Sequence, residues 1–500
     1  MKIAKNSLLL AVVLLYSLFG VSQRGKDGSY TSSTANFVLN SATYLTANAT
    51  TNSTSITVNS NSLTGGFFSG ALAQGDLILI MQMQGATMDI DPITSIPLAS
   101  GGWGGHYTVA ASVGPGTDWH LSADIWGRVT NYNQSGKFEQ VEVLSVSGTN
   151  TINLQCPLKN NYTSAGHVQV IRVPRFQNLT INTGASLVPA AWNGNTGGVV
   201  AAEVSGNLIL TGTGKISATG LGFRGGVADN QGGASTGGVS TGVAAAGTGI
   251  GDTYLASDQG VNGARKGEGI GGYTTEYAAL YSVYGRSGAA NGGGGAGYQN
   301  AGGGGGSNIG TAPYTGKGNP NPTYASFWNL ELAGFGASTS SGGGRGGYTL
   351  SNSDQNEAIV GPNNTLWGTG YRKPEGGYGG HTLAYDNTRI FMGGGGGAGD
   401  QDNLQGGGGG AGGGIAFLTV YGTISGTGSI ESNGADGLKS NPANTAPGFG
   451  TKRGTDGAGG AGAGGSIYIQ NSSAIPSTIT LNAKGGKGGD NAITLGTGIT

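Results

Sequence analysis

The sequence predicts an all-β protein: a small antiparallel β domain followed by a Gly-rich β-solenoid, parallel β-helix-like, with a long aromatic insertion. Three observations predict it. The first is an internal repeat. Leu210-Thr-Gly-Thr-Gly-Lys-Ile-Ser-Ala-Thr-Gly220 matches Ile424-Ser-Gly-Thr-Gly-Ser-Ile-Glu-Ser-Asn-Gly434 in residue type. Each copy follows a Gly-Gly pair and an apolar run, Val199 to Val204 and Ile415 to Val420. A weaker copy runs from Gly464-Gly465 through Ile467 and Ile469 to Leu481 and Gly485. Repetition of strand, turn, strand, turn is the mark of stacked β architectures. The second observation is a shift in composition: about four fifths of the 106 glycines fall after residue 200. The third is period-2 alternation in the first third of the chain, which reads as half-buried strands.

Composition narrows the function classes. The chain has 500 residues, 10% charged residues and a formal net charge of −1. So few Lys and Arg cannot supply the basic patch that phosphate neutralisation requires, so no nucleic-acid partner is expected. This glycine content suggests disorder, but low charge, 36% apolar content and β-branched runs at fixed places in each repeat argue for order. Cys156 stands alone, so it forms no intrachain disulfide and is expected to pack as a small hydrophobe.

In order, residues 1–23 read as a secretory signal peptide. Lys2 and Lys5 precede an apolar Leu8–Phe19 core, with small residues at Val21-Ser22. No later apolar run reaches spanning length, so the mature chain is expected to have no transmembrane segment. Residues 24–53 read as an extended lead-in. Residues 54–174 read as the antiparallel β domain, with Ser147-Gly-Thr-Asn150 as a tight hairpin and a loop-like insertion from Asp89 to Trp126. Residues 175–500 read as the solenoid, and 222–392 as its Tyr- and Gly-rich insertion, which holds more than half of the 20 Tyr. Tyr277, Tyr281 and Tyr284 have helical spacing. Glycine runs at 292–295, 302–306, 342–347, 393–397 and 406–414 read as backbone packed so closely that no Cβ fits, in extended or polyproline-II-like form; flexible linker is the competing reading.

Signals for chemistry are sparse. No Gly-x4-Gly-Lys-Ser/Thr phosphate loop occurs. Gly485 to Ile493 resembles one calcium-binding nonapeptide, but Ala492 stands where a large apolar residue is required and no tandem copy follows. Asp400, Asp402 and Asp490 are the metal candidates, as hard oxygen donors for Ca²⁺; solvated turn residues are the favoured reading, and no cofactor is expected. The four His show no metal-ligand spacing. Carbohydrate-cleaving β-helices need clustered carboxylates, whereas the repeat strands here carry only Glu203 and Glu431, which do not align. Aromatic side chains that stack on sugar rings are better represented. Tyr277, Tyr281, Tyr284, Trp328, Trp367 and Tyr371 are the candidates for contact with surface glycans or abiotic surfaces, against a reading in which they form the insertion's own core.

With the Phe19-Gly-Val-Ser-Gln23 signal ending and the Gly-Gly-Gly-Gly-Gly-Ala-Gly blocks at 393–399 and 406–412, the chain resembles the N-terminal region of SprB-type cell-surface adhesins of Bacteroidota. That resemblance implies export by the type IX secretion system, a place on the outer face of the outer membrane and a role in gliding motility. It also implies a C-terminal sorting domain, which is not legible here, so the solenoid is expected to continue beyond residue 500. The expected function is a non-catalytic adhesin module that works through many weak contacts. The alternative is a β-helical polysaccharide lyase or hydrolase, which a carboxylate cluster from the insertion, such as Asp354 with Glu357 or Asp386, would favour.

Overall fold

The computed structural model describes residues 23–88, 127–228, 264–272, 285, 288–296, 302–309, 343, 346, 376–384, 386–400, 406–440 and 457–489. Their regular structure is β, with one 3₁₀ turn at Ser164–Gly166. Residues 1–22 and 89–126, and the helical reading at Tyr277, Tyr281 and Tyr284, lie outside the described residues.

Parallel strands wind as a solenoid with three walls. One wall stacks β1 (Tyr30–Ser32), β12 (Leu179–Ile181), β15 (Leu208–Leu210) and β18 (Ile424–Gly426). The second stacks β2 (Phe37–Val38), β13 (Ser186–Val188), β16 (Lys215–Ser217), β19 (Ser429–Glu431) and β21 (Thr480–Asn482). The third stacks β11 (Arg175–Phe176), β14 (Val199–Val204), β17 (Ile415–Val420) and β20 (Ser466–Asn471). The two repeat copies found in sequence are consecutive rungs, Leu208 beside Ile424 and Ile216 beside Ile430. Side chains from all three walls, among them Leu179, Leu187, Val200, Leu208, Ile216, Leu418 and Ile430, fill the interior.

Corners are held by stacked polar side chains. Asn178 Oδ1 accepts from Asn207 N at 2.9 Å, and Asn207 Oδ1 accepts from Thr423 N at 3.1 Å. These pairs are 29 and 216 residues apart, so the second repeat interval contains the long insertion. At one corner Gly184 and Gly212 take φ of +80° and +54°, a left-handed turn open to residues without Cβ.

The region read as a lead-in does more than connect. Its β1 and β2 are the first rung of the solenoid, 149 and 150 residues ahead of their neighbours. The antiparallel sheet is therefore inserted between the first and second rungs. Its strand order is β3 (Ala42–Tyr44), β10 (Val168–Val173), β5 (Leu77–Gln82), β8 (Phe138–Ser147), β9 (Thr151–Leu154) and β4 (Ser55–Thr57). β6 (Thr87–Met88) and β7 (Val129–Asn131) form a small second ladder. One sheet face closes on Leu45, Ile56, Ile80, Val143, Ile152 and Val170. The other packs Leu79, Met81 and Ile171 against Val199, Ala201, Ile415 and Phe417 of the solenoid. β14 and β17 are thus buried on both faces, which is why they read as continuous apolar runs.

Ion pairs cross this interface. Arg175, 2% exposed, donates from Nε to Glu203 at 2.8 Å and from Nη1 to Glu142 of β8 at 2.6 Å. Burial alone would lower its pKa, but the two carboxylates outweigh that and raise it. Asp27 accepts from the Arg175 backbone N at 2.7 Å, and Asp76 pairs with Arg172 at 2.6 Å and with Lys26. Cys156, expected to be packed, is exposed just beyond β9, where the chain has already left the sheet's apolar face.

The glycine runs form a second ordered body, and segment 393–400 shows its rule. N–H of Gly393, Gly396 and Gly399 donate to carbonyls of Gly413, Gly410 and Gly407. Gly394 and Gly397 donate to Ser307 and Gly304, while Gly395 and Ala398 donate to Glu268 and Arg265. Every third residue meets the same neighbour, as a helix of three residues per turn without internal hydrogen bonds requires. Carbonyls of the segment accept from three more neighbours: Gly226, then Gly293 and Ala296, then Gly457, Gly460 and Ala463. Segment 393–400 therefore sits among six others. A Cβ at Gly394, Gly395, Gly396 or Gly397 would fall on backbone of Asn291, Arg224, Gly460 or Gly294. Alanine appears where there is room, as where Ala398 meets Ala264 and Ala296.

Two outcomes follow from these contacts. Gly397→Ala is expected to cost about 1–3 kcal/mol by overpacking, whereas Gly488→Ala, whose Cβ would meet nothing within 4 Å, is expected to change stability by less than about 0.5 kcal/mol; thermal and urea unfolding read both. Arg175→Leu should cost about 3–5 kcal/mol by leaving Glu203 buried without its partner, and the double variant Arg175→Leu/Glu203→Leu should recover much of that loss.

Candidate binding surface at the outer end of the glycine bundle

The glycine segments have a common inner end, against the solenoid and the β domain. Segment 393–400 leaves Phe391 and Met392 in the shared core, segment 406–414 enters β17, and segment 457–465 enters β20. Glu268, 2% exposed, fastens this end: its carboxylate accepts from Gln84 Nε2 (3.0 Å), Trp192 Nε1 (3.1 Å) and Arg224 Nε (2.9 Å). One side chain thereby joins the β domain, the solenoid corner and the bundle. Two residues earlier, Lys266 is fully buried, and burial holds its pKa well below the usual lysine value.

The pairing directions place the other ends together. Segments 221–228, 291–296 and 393–400 run outward, whereas 264–270, 302–308, 406–414 and 457–465 run inward. Gly346 bonds Gly377 while Gly343 bonds Gly380, so these two stretches are antiparallel in the same way. Ala228, Ala264, Ala296, Gly302, Gly346, Gly376, Asp400, Gly406, Ser440 and Gly457 consequently end on one face. These are the described neighbours of 229–263, 297–301, 347–375, 401–405 and 441–456, which lie outside the described residues. Val227 and Leu438 are exposed there, at 68% and 62%.

Among the sequence-predicted contact residues, Tyr277, Tyr281, Tyr284, Trp328, Trp367 and Tyr371 lie outside the described residues. Trp367 and Tyr371 belong to 347–375, whose described neighbours Gly346 and Gly376 are at the outer end. Trp328 belongs to 310–342, whose described neighbours Ile309 and Gly343 lie toward the inner end, whereas the three tyrosines belong to 273–284, between Gly272 at the inner end and Gly285, whose N donates to Ala264 O at the outer end. Of the metal candidates, Asp402 and Asp490 lie outside the described residues, and Asp400 is described. It is 3% exposed, its carbonyl accepts from Gly457 N, and Gly489, next to Asp490, bonds Gly459 of the same segment. Among the described residues no three His, Cys, Asp or Glu gather as a metal site.

The acids of the strands have structural partners. Glu203 is in the Arg175 pair, Glu431 faces Lys215 at 3.6 Å, and Glu139 accepts from Tyr162 Oη (3.1 Å) and from the backbone N of Lys159 and Asn160. Burial and the Glu139 charge push the Tyr162 hydroxyl pKa far up. Asp386 is exposed and tied to Thr388 and Arg389. Sequence reasoning missed Glu268 and Arg224. The only signal was a charged residue inside a glycine stretch, which alone does not name its partners.

No protein-family model matches the chain, and no curated protein matches it in sequence. Among solved structures it is similar to three phage tailspikes. The Pseudomonas phage phi297 tailspike gp61 is 13% identical over 35% of this chain and 22% of its own, with a TM-score of 0.15. The Gp54 tailspike of Acinetobacter baumannii bacteriophage AP22, in complex with A. baumannii capsular saccharide, is 16% identical over 38% and 27%, also at 0.15. The gp49 tailspike of Pseudomonas phage LKA1 is 11% identical over 39% and 34%, again at 0.15. The matched part spans about a third or less of each tailspike's length. At these scores the fold assignment rests on the sheet register described above: the chain is an all-β protein built on a parallel β-solenoid.

Proposed function

We propose that this chain is a non-catalytic, secreted cell-surface adhesin module that contacts glycans or abiotic surfaces through the outer end of its glycine bundle. The observation that carries this reading is the convergence on one face of ten described ends of the glycine segments, from Ala228 to Gly457, in a tightly packed backbone scaffold. Segments without side chains take little cross-section, so many segment ends lie close together on that face. That arrangement suits many weak contacts summed by avidity rather than one deep pocket. The SprB-type resemblance supports placing the module on the outer face of the outer membrane, exported by type IX secretion and engaged with gliding machinery. Its support is the signal-peptide pattern and the glycine blocks.

The test uses residues 24–500 on a glycan array and on glass and polystyrene, beside a polysaccharide depolymerisation assay. Replacing 347–375 with a short Gly-Ser connection, in a variant whose melting temperature is unchanged, should weaken binding at least about tenfold as avidity is lost. Release of reducing or unsaturated ends would instead establish the lyase or hydrolase alternative. Binding that survives replacement of each of the five stretches would move the contact surface elsewhere.

A further inference from the structure

The backbone hydrogen bonds of the glycine bundle lie across its axis. In segment 221–228, N–H of Gly222 and Gly226 donate to Gly412 and Gly396. Carbonyls of Phe223, Arg224 and Gly226 accept from Gly412, Glu268 and Gly409. None of these bonds joins two residues of the segment, as a three-residue helix without internal hydrogen bonds requires. A pull along the axis loads all of them together. A pull across the axis opens them singly, from the end.

The inner ends of the segments carry bulky side chains. Phe223, Phe391 and Ile415 stand at the inner ends of 221–228, 393–400 and 406–414, and all three are seated in the shared core at 1%, 1% and 0% exposure. With three residues per turn, an outward slide by one turn would carry Phe223 to the place of Gly226, Phe391 to that of Gly394 and Ile415 to that of Gly412. At those three glycines even a Cβ would fall on backbone, of Arg265, Asn291 and Gly393 respectively. The channels admit glycine and stop a side chain. Beyond Ile415 the load passes into β17, whose six residues all pair with β14 on one side and with β20 on the other.

We propose that the bundle is a load-bearing element, which carries tension from its outer end lengthwise into the solenoid. Hydrogen bonds loaded in shear resist the first movement, and Phe223, Phe391 and Ile415 act as stoppers against further slip. The source of the load rests on the adhesive reading above; the resistance rests on the packing alone.

The test is single-molecule force spectroscopy of residues 24–500 in a Cys156→Ser background, with handles on paired cysteines at exposed positions. Val227→Cys with Tyr421→Cys pulls along the bundle, from its outer end to the residue beyond β17. Val227→Cys with Leu438→Cys pulls apart two segments that both bond 406–414, through Gly409 to Gly226 and Leu438 to Gly408. At one loading rate the first pair is expected to rupture at a force at least about twofold higher, because its bonds must fail together. Phe223→Ala should lower the force along the bundle and leave the force across it unchanged. An equal or lower force along the bundle overturns the proposal, as does a Phe223→Ala protein weakened alike in both directions. Should Phe223→Ala not fold, the ratio of the two forces in the parent protein decides. No ligand enters this measurement, so a failure of surface binding and a failure of load-bearing are read separately.

Discussion

The absence of a side chain at glycine is the constraint on which this molecule depends. A Cβ at Gly394 or Gly397 would occupy the place of a neighbouring carbonyl, so the six-neighbour packing around segment 393–400 exists only for this residue. Each glycine surrenders more backbone freedom on folding than other residues, by roughly 0.5–1 kcal/mol relative to Ala. The bundle offsets that with a hydrogen bond to a different neighbour at each successive residue. Apolar burial contributes little inside it, since its interior is largely peptide. Its stability therefore depends on satisfying backbone groups and on fixed anchors at its base.

Those anchors are conventional. The solenoid interior is aliphatic, with Val200, Leu418 and Ile430 closing over one another rung by rung. Its third wall is shared with the antiparallel sheet, so one strand serves two cores: Val199 and Phe417 face one, Val200 and Leu418 the other. Arg175 and Glu268 stand where these bodies meet. Each is a buried charge whose partners come from different bodies, Glu142 and Glu203 in one case, Gln84, Trp192 and Arg224 in the other. Apolar contact alone is tolerant of sliding; paired buried charges tie the bodies at defined positions.

Function in this architecture follows from separation of duties. The solenoid supplies length, the antiparallel domain closes one wall, and the glycine segments carry chain outward and back with minimal cross-section. A scaffold whose side chains have been removed holds little chemistry of its own. The acids of the described strands are occupied by structural partners.

The sequence by itself determined the all-β class, the rung pattern and the order of the glycine runs. These are properties of local periodicity: Ile216 and Ile430 hold one place in adjacent rungs, as the match of Leu210–Gly220 with Ile424–Gly434 has it, although the corner before them is longer in the first rung, so that Ile424 lies beside Leu208 and Gly426 beside Leu210. Tertiary structure alone decided the rest. Tyr30 to Val38 reads as lead-in because two and three residues of strand carry too little pattern, yet it pairs 149 and 150 residues away. The exposure of Cys156 follows from where β9 ends rather than from residue type. The outer face of the bundle was invisible for a different reason. Glycine runs look alike in sequence, and whether each runs outward or inward depends on which neighbour its N–H groups meet, a choice that no side chain records.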